Sequence, residues 1–432
     1  MRYGVLALAI LSGAVHPVSA NDTARLLWSV RTTGGTVVSE QDAGTPCNPA
    51  SVLKLGTALL ALDRLGPDHR YTTAFAATGT IDTAHGVLHG DLVVLGGADP
   101  DFQLENAWLV AGALGEAGVR TVTGNLVVAG RFWMGWDHGF AGTAGMTGEA
   151  IRLRAGRRLL RAWDPSRWTA SIRKGWTEWS GRRPGTVGPP PSVIVRGRVR
   201  TGTAAGRTVV VHRSNPLLTI LRRFLTYSNN DIVRIAVPLG GPGELERFLA
   251  RRLEAQPGTI TVASASGEGV NRMTPRLGVR LLDTLRGWLG GYGLSLRDLL
   301  PVPGCVPGPL PRMFPHFAHP PLAGTLACKT GTLDATDGGV AVLAGTVETR
   351  DAGTILFFVA APRAGSDLRR WRHVEQRWLE DLIGTLGGAV AHPCPPPFPY
   401  SDENALAERV DLPRAERPAG LTVGAPGATI VP

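Results

Sequence analysis

The chain has few lysines, few cysteines and almost no long apolar runs. Lysine occurs only at positions 54, 174 and 329, although the chain holds 45 basic residues and a formal charge of +10. Beyond the N-terminal segment, no stretch reaches the ~18 apolar residues of a membrane-spanning helix. No CxxC or His-x-x-His spacing suggests zinc, and no nucleic-acid recognition motif accompanies the positive charge. An anionic wall polymer or lipid headgroup is therefore the expected partner of that charge, and nucleic acid is not.

The first 20 residues have the composition of a secretory signal. They combine a basic start, an apolar run and a small-residue end at Val18-Ser19-Ala20, which predicts cleavage after Ala20. We therefore expect an exported protein, periplasmic or associated with the cell wall, with peripheral attachment to wall or membrane as an option. Its oligomeric state stays open.

Ser51 and Lys54 open an apolar helix predicted over residues 51–65. The i, i+3 spacing places both side chains on one helical face, and the serine lies at the positive end of the helix dipole. Apolar surroundings disfavour the ammonium form of a lysine, so Lys54 can act as a base. A second Ser-x-x-Lys pair, Ser171 and Lys174, has no apolar helix after it, and we assign it no chemistry.

Two further motifs follow in order. Ser228-x-Asn230 lies between two predicted helical stretches, and Lys329-Thr330-Gly331 followed by Thr332 lies on a predicted strand. Each short motif is common by chance. The ordered set SxxK, SxN and KTG in helix, helical-connection and strand contexts is typical of serine penicillin-recognising enzymes.

Longer segments resemble the D-alanyl-D-alanine carboxypeptidase/endopeptidase family of penicillin-binding protein 4 type, the class C low-molecular-mass penicillin-binding proteins. The segments that carry the resemblance include NPASVLKLGTALLALDRLGPDHRYTT, GDLVVLGGADPDF, SASGEGVNRMTP and AGTLACKTGTL. The resemblance implies an α/β (α+β) fold. A serine β-lactamase/transpeptidase-like domain is split in sequence, with a mainly β accessory domain inserted between SxxK and SxN. The expected ranges are a signal peptide at 1–20, transpeptidase-like parts at 21–78 and 211–390, the insert at 79–210, and a Pro-rich extended or disordered tail at 391–432.

The resemblance also implies roles for the first two motifs. Ser51 Oγ attacks the carbonyl of a D-Ala-D-Ala bond in a peptidoglycan stem peptide and forms an acyl-enzyme, while Lys54 takes its proton. Ser228 relays a proton to the leaving amine. Asn230 binds the acyl side chain of the substrate or Lys54. The expected activity is a serine carboxypeptidase, an endopeptidase, or both, with β-lactams as covalent inhibitors.

The third motif binds the substrate by the same analogy. Lys329, Thr330 and Thr332 bind the terminal carboxylate, and the backbone N–H groups of Ser51 and Thr332 form the oxyanion hole. A side chain at Gly331 would obstruct substrate lying along the strand edge. Water then deacylates the enzyme, and no metal or cofactor is implied.

Two departures from the family pattern leave other functions open. The family usually has an aspartate near the end of the second GxLvv strand, where this chain reads Val128-Ala129-Gly130-Arg131-Phe132 without an acid. Ser264-Ala265-Ser266-Gly267 likewise replaces the usual Asp-Gly-Ser-Gly. These changes put the substrate preference in question more than the acylation chemistry. The alternatives are a catalytically silent relative that binds peptidoglycan, and a β-lactamase or esterase on the same scaffold.

Cysteines and tryptophans allow two further expectations. Four cysteines permit disulfides in an oxidising compartment, and the three possible pairings of Cys47, Cys305, Cys328 and Cys394 stay open. Cys47 and Cys328 neighbour two motifs that should meet in the fold, so they are either bridged or small buried residues. The Trp- and Arg-rich range 152–200 is expected to form the accessory-domain surface. A glycan-binding or membrane-contacting face is the alternative.

Overall fold

A computed structural model describes residues 26–139, 141–183, 188–203, 205–396 and 398–410. The predicted signal peptide and the tail beyond residue 410 lie outside the described residues. None of the described helices is both long and apolar enough to cross a membrane. The strands are β1 Leu27–Thr32, β2 Val37–Gln41, β3 Thr72–Ala77, β4 Thr80–Asp82, β5 Val87–His89, β6 Leu92–Gly97, β7 Thr121–Val122, β8 Leu126–Arg131, β9 Ile194–Val195, β10 Val199–Thr201, β11 Arg207–Arg213, β12 Leu326–Leu333, β13 Val340–Thr349, β14 Gly353–Pro362 and β15 Leu406–Arg409. The helices are α1 Lys54–Leu65, α2 Leu104–Glu116, α3 Gly148–Trp163, α4 Ala170–Gly181, α5 Leu217–Thr226, α6 Val233–Ala236, α7 Gly241–Arg252, α8 Pro275–Gly290, α9 Leu296–Leu299, α10 Leu310–Met313, α11 Pro315–Ala318 and α12 Leu368–Thr385.

The first sheet combines two N-terminal strands with three strands from the C-terminal part of the chain. Its order is β12-β13-β14-β1-β2, and every neighbouring pair is antiparallel. Strands from the N-terminal part and from the C-terminal part therefore share one sheet. Phe358 and Ala360 of β14 face the core that contains α1 and α8, whereas Phe357 and Val359 face α12. Because side chains alternate along a strand, this pattern buries both faces of the sheet.

Helix α1 is the centre of the larger core. All of its residues from Lys54 to Leu62 are buried, and they pack with side chains of α5, α7 and α8. A Cβ at Gly56 would come 2.8 Å from Leu249 Cδ1, so α7 lies directly against the first turn of α1. The helix ends at Gly66, whose φ of 80° takes the chain out of the helix.

The inserted part contains two further sheets, with orders β10-β8-β6-β3-β11-β15 and β4-β5-β7-β9. Three helices, α2 to α4, accompany these strands in a part of the chain that the sequence indicated as mainly β. The larger sheet also extends beyond the expected range 79–210, since β3 precedes that range. At its other end β15 pairs with β11, so the part of the tail up to residue 410 is joined to the insert.

Most tryptophan side chains of the range 152–200 are buried, whereas many of the charged residues between them are exposed, as expected for an accessory-domain surface. Trp108 of α2 packs against Trp168, Trp176 and Trp179 with ring centroids 5.4–5.7 Å apart. Trp168 and Trp179 are only 5% and 4% exposed, and Trp179 Nε1 donates to Asp402 Oδ2 at 2.6 Å. These rings form a small core between α2, α4 and the C-terminal segment, which leaves only half-buried Trp176 for the glycan-face alternative.

One disulfide is present, and it is not the bridge considered beside the motifs. Cys305 is bonded to Cys394 with a Cα–Cα distance of 5.4 Å. Cys47 and Cys328 are unbridged and buried, and burial raises the pKa of each thiol to about 12. The bridge therefore fastens the C-terminal segment to the catalytic domain, while the other two cysteines fill the core.

Candidate active site

A sharp turn places Ser51 at the edge of the core, where it is half-buried. The helix expected from residue 51 begins as a 3-10 turn, Ala50–Leu53, and α1 follows at Lys54. Ala50 has a left-handed φ of 45°, a strained conformation for a non-glycine residue. Asn48 holds this turn by accepting from the Ala50 backbone N–H at 3.0 Å and donating to Gly269 O at 2.9 Å. Ser51 is left half-buried and accessible.

Lys54 makes three hydrogen-bond contacts of 2.7 Å, with Ser51 Oγ, Asn230 Oδ1 and the backbone oxygen of Ser266. Two of these partners, the amide oxygen and the backbone oxygen, can only accept. A neutral amine has two N–H bonds and one lone pair. If both N–H bonds go to Asn230 and Ser266, the lone pair faces the Ser51 hydroxyl, which is the arrangement of a base and its nucleophile.

The charge state of Lys54 suits that arrangement. The side chain is fully buried, and burial lowers the pKa of Lys54 from its usual 10.5 to about 7 although nearby Glu268 opposes the shift. A substantial fraction of the amine is therefore neutral near pH 7. The neutral amine can accept the Ser51 proton, as a general base must.

The second motif lies opposite the first. Ser228 follows α5 with a left-handed φ of 51°, and Asn230 begins the short 3-10 turn Asn230–Ile232. This backbone brings Asn230 onto Lys54 and Ser228 onto the third motif, where Lys329 Nζ lies 2.8 Å from Ser228 Oγ. Hydrogen bonds thus join the sequence-predicted residues in two groups, one of Ser51, Lys54 and Asn230 and one of Ser228 and Lys329.

The third motif occupies β12, an edge strand of the first sheet. This strand packs against the turn Ala50–Leu53, which is called the nucleophile turn below for the role expected of Ser51. Lys329 is 1% exposed, and its Nζ also donates to Thr330 O at 2.7 Å. Burial, together with the charges of Lys54 and Arg372, holds the pKa of Lys329 well below its usual value. Thr330 is buried and Thr332 is half-exposed.

Gly331 has a different steric role from the expected one. A Cβ there would lie 2.6 Å from Pro49 O, 3.0 Å from the Ala50 Cβ and 3.2 Å from the Ser51 backbone nitrogen. A side chain at position 331 would therefore clash with the nucleophile turn even in the absence of substrate. The absence of a side chain lets β12 approach Ser51 closely.

Arg372 of α12 is a buried support that no motif indicated. Its guanidinium donates to the backbone oxygens of Gly331 and Val342 and to Thr332 Oγ1, and it pairs with Glu375. The arginine therefore holds the KTG strand from behind. Its only sequence signal is a charged position on the buried face of an amphipathic helix, a face that also contains Glu375 and Gln376.

Asp231, directly after the SxN motif, ties the site to the insert. Its carboxylate accepts from the backbone N–H groups of Asp137 and Gly139 at 2.6 and 2.9 Å, and it pairs with Arg234. Asp137 in turn pairs with Arg154 and Arg158 of α3 and with Arg234. The loop after β8 thereby supports the SxN loop, and no sequence pattern indicated this contact.

The assembled groups suit acyl transfer. A half-exposed hydroxyl faces a buried amine, and a second amine, that of Lys329, contacts a second hydroxyl, that of Ser228. The second Ser-x-x-Lys pair is far less constrained, since Lys174 is 79% exposed and pairs only loosely with Glu178 at 3.7 Å. Within the described ranges no group of three or more His, Cys, Asp and Glu side chains could hold a metal ion.

The split antiparallel sheet, the SxxK helix and the KTG edge strand define the transpeptidase-like class of serine enzymes. The chain belongs to the D-Ala-D-Ala carboxypeptidase 3 (S13) family, whose sequence profile matches residues 20–138 and 192–380. The unmatched stretch between these ranges contains α3 and α4. The family resemblance drawn from the motifs is therefore confirmed.

Individual relatives agree with this family. A D-alanyl-D-alanine carboxypeptidase from Actinomadura sp. (strain R39) is 38% identical over 116 residues, which cover 27% of this chain and 20% of that protein. The predatory endopeptidase Bd0816 from Bdellovibrio bacteriovorus, solved with the immunity protein Bd3460, superposes with a TM-score of 0.72 at 23% identity, covering 88% of this chain and 98% of that one. Penicillin-binding protein 4 from Haemophilus influenzae gives a TM-score of 0.59 at 16% identity, with coverages of 83% and 96%. These two structures show a common fold.

Proposed function

We propose that the protein is a serine D-Ala-D-Ala carboxypeptidase, endopeptidase or both, acting on peptidoglycan stem peptides through an acyl-enzyme on Ser51. The observation that carries this proposal is the position of Lys54 Nζ, 2.7 Å from both Ser51 Oγ and Asn230 Oδ1. Membership of the S13 family and the activity named for the Actinomadura relative support the choice of substrate.

Acylation begins with proton transfer from Ser51 Oγ to neutral Lys54 Nζ. The serine oxygen attacks the carbonyl carbon of the D-Ala-D-Ala bond, and negative charge develops on the carbonyl oxygen. We assign the backbone N–H groups of Ser51 and Thr332 to that oxygen. In well-characterised enzymes one such donor contributes about 3–4 kcal/mol to lowering the barrier.

The leaving D-Ala nitrogen must gain a proton when the peptide bond breaks. We assign its delivery to Ser228, whose hydroxyl lies 2.8 Å from Lys329 Nζ. Ser228 receives in return the proton that Lys54 took from Ser51, so Lys54 becomes the neutral amine again. Lys329 Nζ is assigned to the terminal carboxylate, whose negative charge favours the ammonium form of that lysine. Thr332 Oγ1 accepts from Arg372, which leaves its own hydroxyl proton free to donate to the same carboxylate. A water molecule then attacks the acyl-enzyme and releases the shortened peptide.

β-Lactams are expected to acylate the same serine, because their strained amide presents a carbonyl and a carboxylate in similar places. Penicillin-binding protein 4, one of the structural neighbours, carries this property in its name. A catalytically silent wall-binding protein and a β-lactamase or esterase are the competing functions. The first predicts no covalent adduct, and the second predicts rapid loss of the adduct.

We also propose that the protein is exported and works in the periplasm or at the cell wall. The signal-like composition of residues 1–20 supports this, as does the location of peptidoglycan outside the cytoplasm. The Cys305–Cys394 disulfide is compatible with an oxidising compartment. Fusing residues 1–30 to a reporter enzyme that is active only after export would test this placement.

Incubation with fluorescent penicillin tests the proposal directly. Wild type should become covalently labelled, and Ser51→Ala should not. Ser171→Ala is a matched control because it removes the serine of the exposed SxxK pair, so it should label like wild type. Folded wild type that stays unlabelled would favour the silent binder. Purified muropeptides then separate the activities, since a carboxypeptidase releases D-alanine and an endopeptidase splits cross-linked dimers.

A further inference from the structure

Glu268 lies in a loop that is pressed against the nucleophile turn. Gly267, its neighbour, has a φ of 85°, and a Cβ there would lie 1.9 Å from Ala50 O and 2.9 Å from the Ser51 nitrogen. No side chain could be accommodated between the loop and the turn. Glu268 is therefore one residue away from direct backbone contact with Ser51, and its side chain is half-buried.

A chain of hydrogen bonds connects Glu268 to the base. Its Oε2 accepts from Ser266 Oγ at 2.8 Å, and Ser266 Oγ also lies 2.8 Å from Ser264 Oγ. The backbone oxygen of the same Ser266 contacts Lys54 Nζ at 2.7 Å. Asn271 fixes the loop from inside by donating to the backbone oxygens of Gly267 and Glu268 at 3.0 and 3.1 Å. The position of Ser266 is thus determined by Glu268, which accepts from its hydroxyl, and by Asn271, which holds the residues that follow it.

We propose that Glu268 is a positioning residue for Lys54. It holds the backbone oxygen of Ser266 against the amine. Its negative charge also stabilises the ammonium that forms when Lys54 takes the Ser51 proton. The role in catalysis rests on the function proposed above, whereas the effect on Lys54 itself does not.

The charges around Lys54 make this role necessary. Lys329, on β12, is the amine that faces Lys54 across the site, and the guanidinium of Arg372 lies behind Lys329. Asn230 and Ser266 contribute neutral oxygens. Glu268 is the carboxylate that acts on Lys54 electrostatically, and it raises the pKa of that amine against the effect of burial. A buried amine with cations nearby and no opposing charge would be a poor proton acceptor.

The scarcity of lysine makes a direct test possible. With lysine only at positions 54, 174 and 329, protein labelled with [13Cε,15Nζ]lysine gives three side-chain signals. Lys174→Arg identifies the exposed lysine and Lys329→Arg identifies the strand lysine, so the remaining signal belongs to Lys54. The Nζ shift of Lys54 is followed against pH in wild type, Glu268→Gln and Glu268→Asp. Glu254→Gln is the control for net charge, because Glu254 is 76% exposed and pairs with Arg280 on the surface.

We expect the titration midpoint of Lys54 to fall by about one pH unit in Glu268→Gln. It should stay near wild type in Glu268→Asp and in Glu254→Gln, since both keep a carboxylate at position 268. A folded Glu268→Gln with the wild-type midpoint would overturn the proposal. If that variant does not fold, Ser266→Ala decides, because it removes the hydroxyl that orients Glu268 and keeps the backbone oxygen. A midpoint unmoved in Ser266→Ala would equally overturn it.

The titration needs no substrate, so its outcome is separate from that of penicillin labelling. Wild type that fails to label would remove the proposed function and leave the effect of Glu268 on Lys54 intact. Wild type that labels normally, combined with an unmoved midpoint, would remove only the role of Glu268.

Discussion

Gly331→Ala should slow acylation while leaving the fold intact. The new Cβ would lie 2.6 Å from Pro49 O. Non-bonded heavy atoms prefer about 3.5 Å or more, so β12 and the turn at Pro49 must move apart by about 0.9 Å. Pro49 lies in the turn that positions Ser51, and β12 is held from behind by Arg372. The turn is therefore expected to yield, moving the nucleophile relative to Thr332.

A displacement approaching 1 Å at a reacting group can cost about 100-fold in rate. We expect the second-order rate of penicillin labelling to fall between about 10- and 100-fold. The strain should destabilise the fold by about 1–3 kcal/mol, which leaves it folded at room temperature. Labelling reactions quenched at successive times give the rate, and urea denaturation gives the free energy of unfolding.

Gly287→Ala is the matched control. Gly287 lies within α8 with open space around its Cα, so the same change there should leave labelling unaltered and slightly favour the helix. A Gly331→Ala variant that is labelled at the wild-type rate would refute the reasoning, because the nucleophile turn would then not depend on the close approach of β12.

Two further predictions follow from titration and from the disulfide. The pKa of Lys54 is lowered to about 7, and only the neutral amine accepts a proton. The labelling rate should therefore rise with pH to a plateau above 7 and be about 100-fold slower at pH 5. A constant rate from pH 5 to 8 would contradict this. Replacing both Cys305 and Cys394 by serine should lower the free energy of unfolding by about 2–4 kcal/mol, measured by urea denaturation. Peptide mapping without reduction should find Cys47 and Cys328 as free thiols, and a bridge involving either would contradict the observed pairing.

The motifs that meet at the candidate site were predictable because each combines residue type with local secondary structure. An apolar helix after Ser51 and a hydrophobic strand around Lys329 are visible as periodic patterns, and the order of the motifs implies that they meet. The two helices on either side of Ser228 were visible for the same reason. The structure places α5 and α6 there and brings Asn230 to Lys54.

Contacts between distant segments were not predictable from one sequence. Asp231 binds backbone N–H groups about 90 residues earlier in the chain, and Arg372 reaches backbone oxygens on two strands. Such partners leave no local pattern, since any buried charge can find its counterpart through the fold. The pairing of Cys305 with Cys394 is of the same kind, because spacing along the chain does not determine the distance between Cα atoms.

The helices α3 and α4 were missed for a different reason. Their many arginines hide the apolar stripe, since only a few positions such as Leu159 and Trp163 point inward. The tryptophans of the same region looked like surface features because they alternate with charges. Their rings instead meet across α2 and α4, which is a tertiary arrangement.

The bond between Asp231 and the loop after β8 makes the accessory unit part of the catalytic apparatus and not a detachable module. A shortened protein that kept every motif residue but lacked the insert would expose a carboxylate deprived of its two N–H donors beside Asn230. Engineers wishing to miniaturise this scaffold would have to supply substitutes for those donors, and loop grafting between homologues would need to transplant both sides of the contact together.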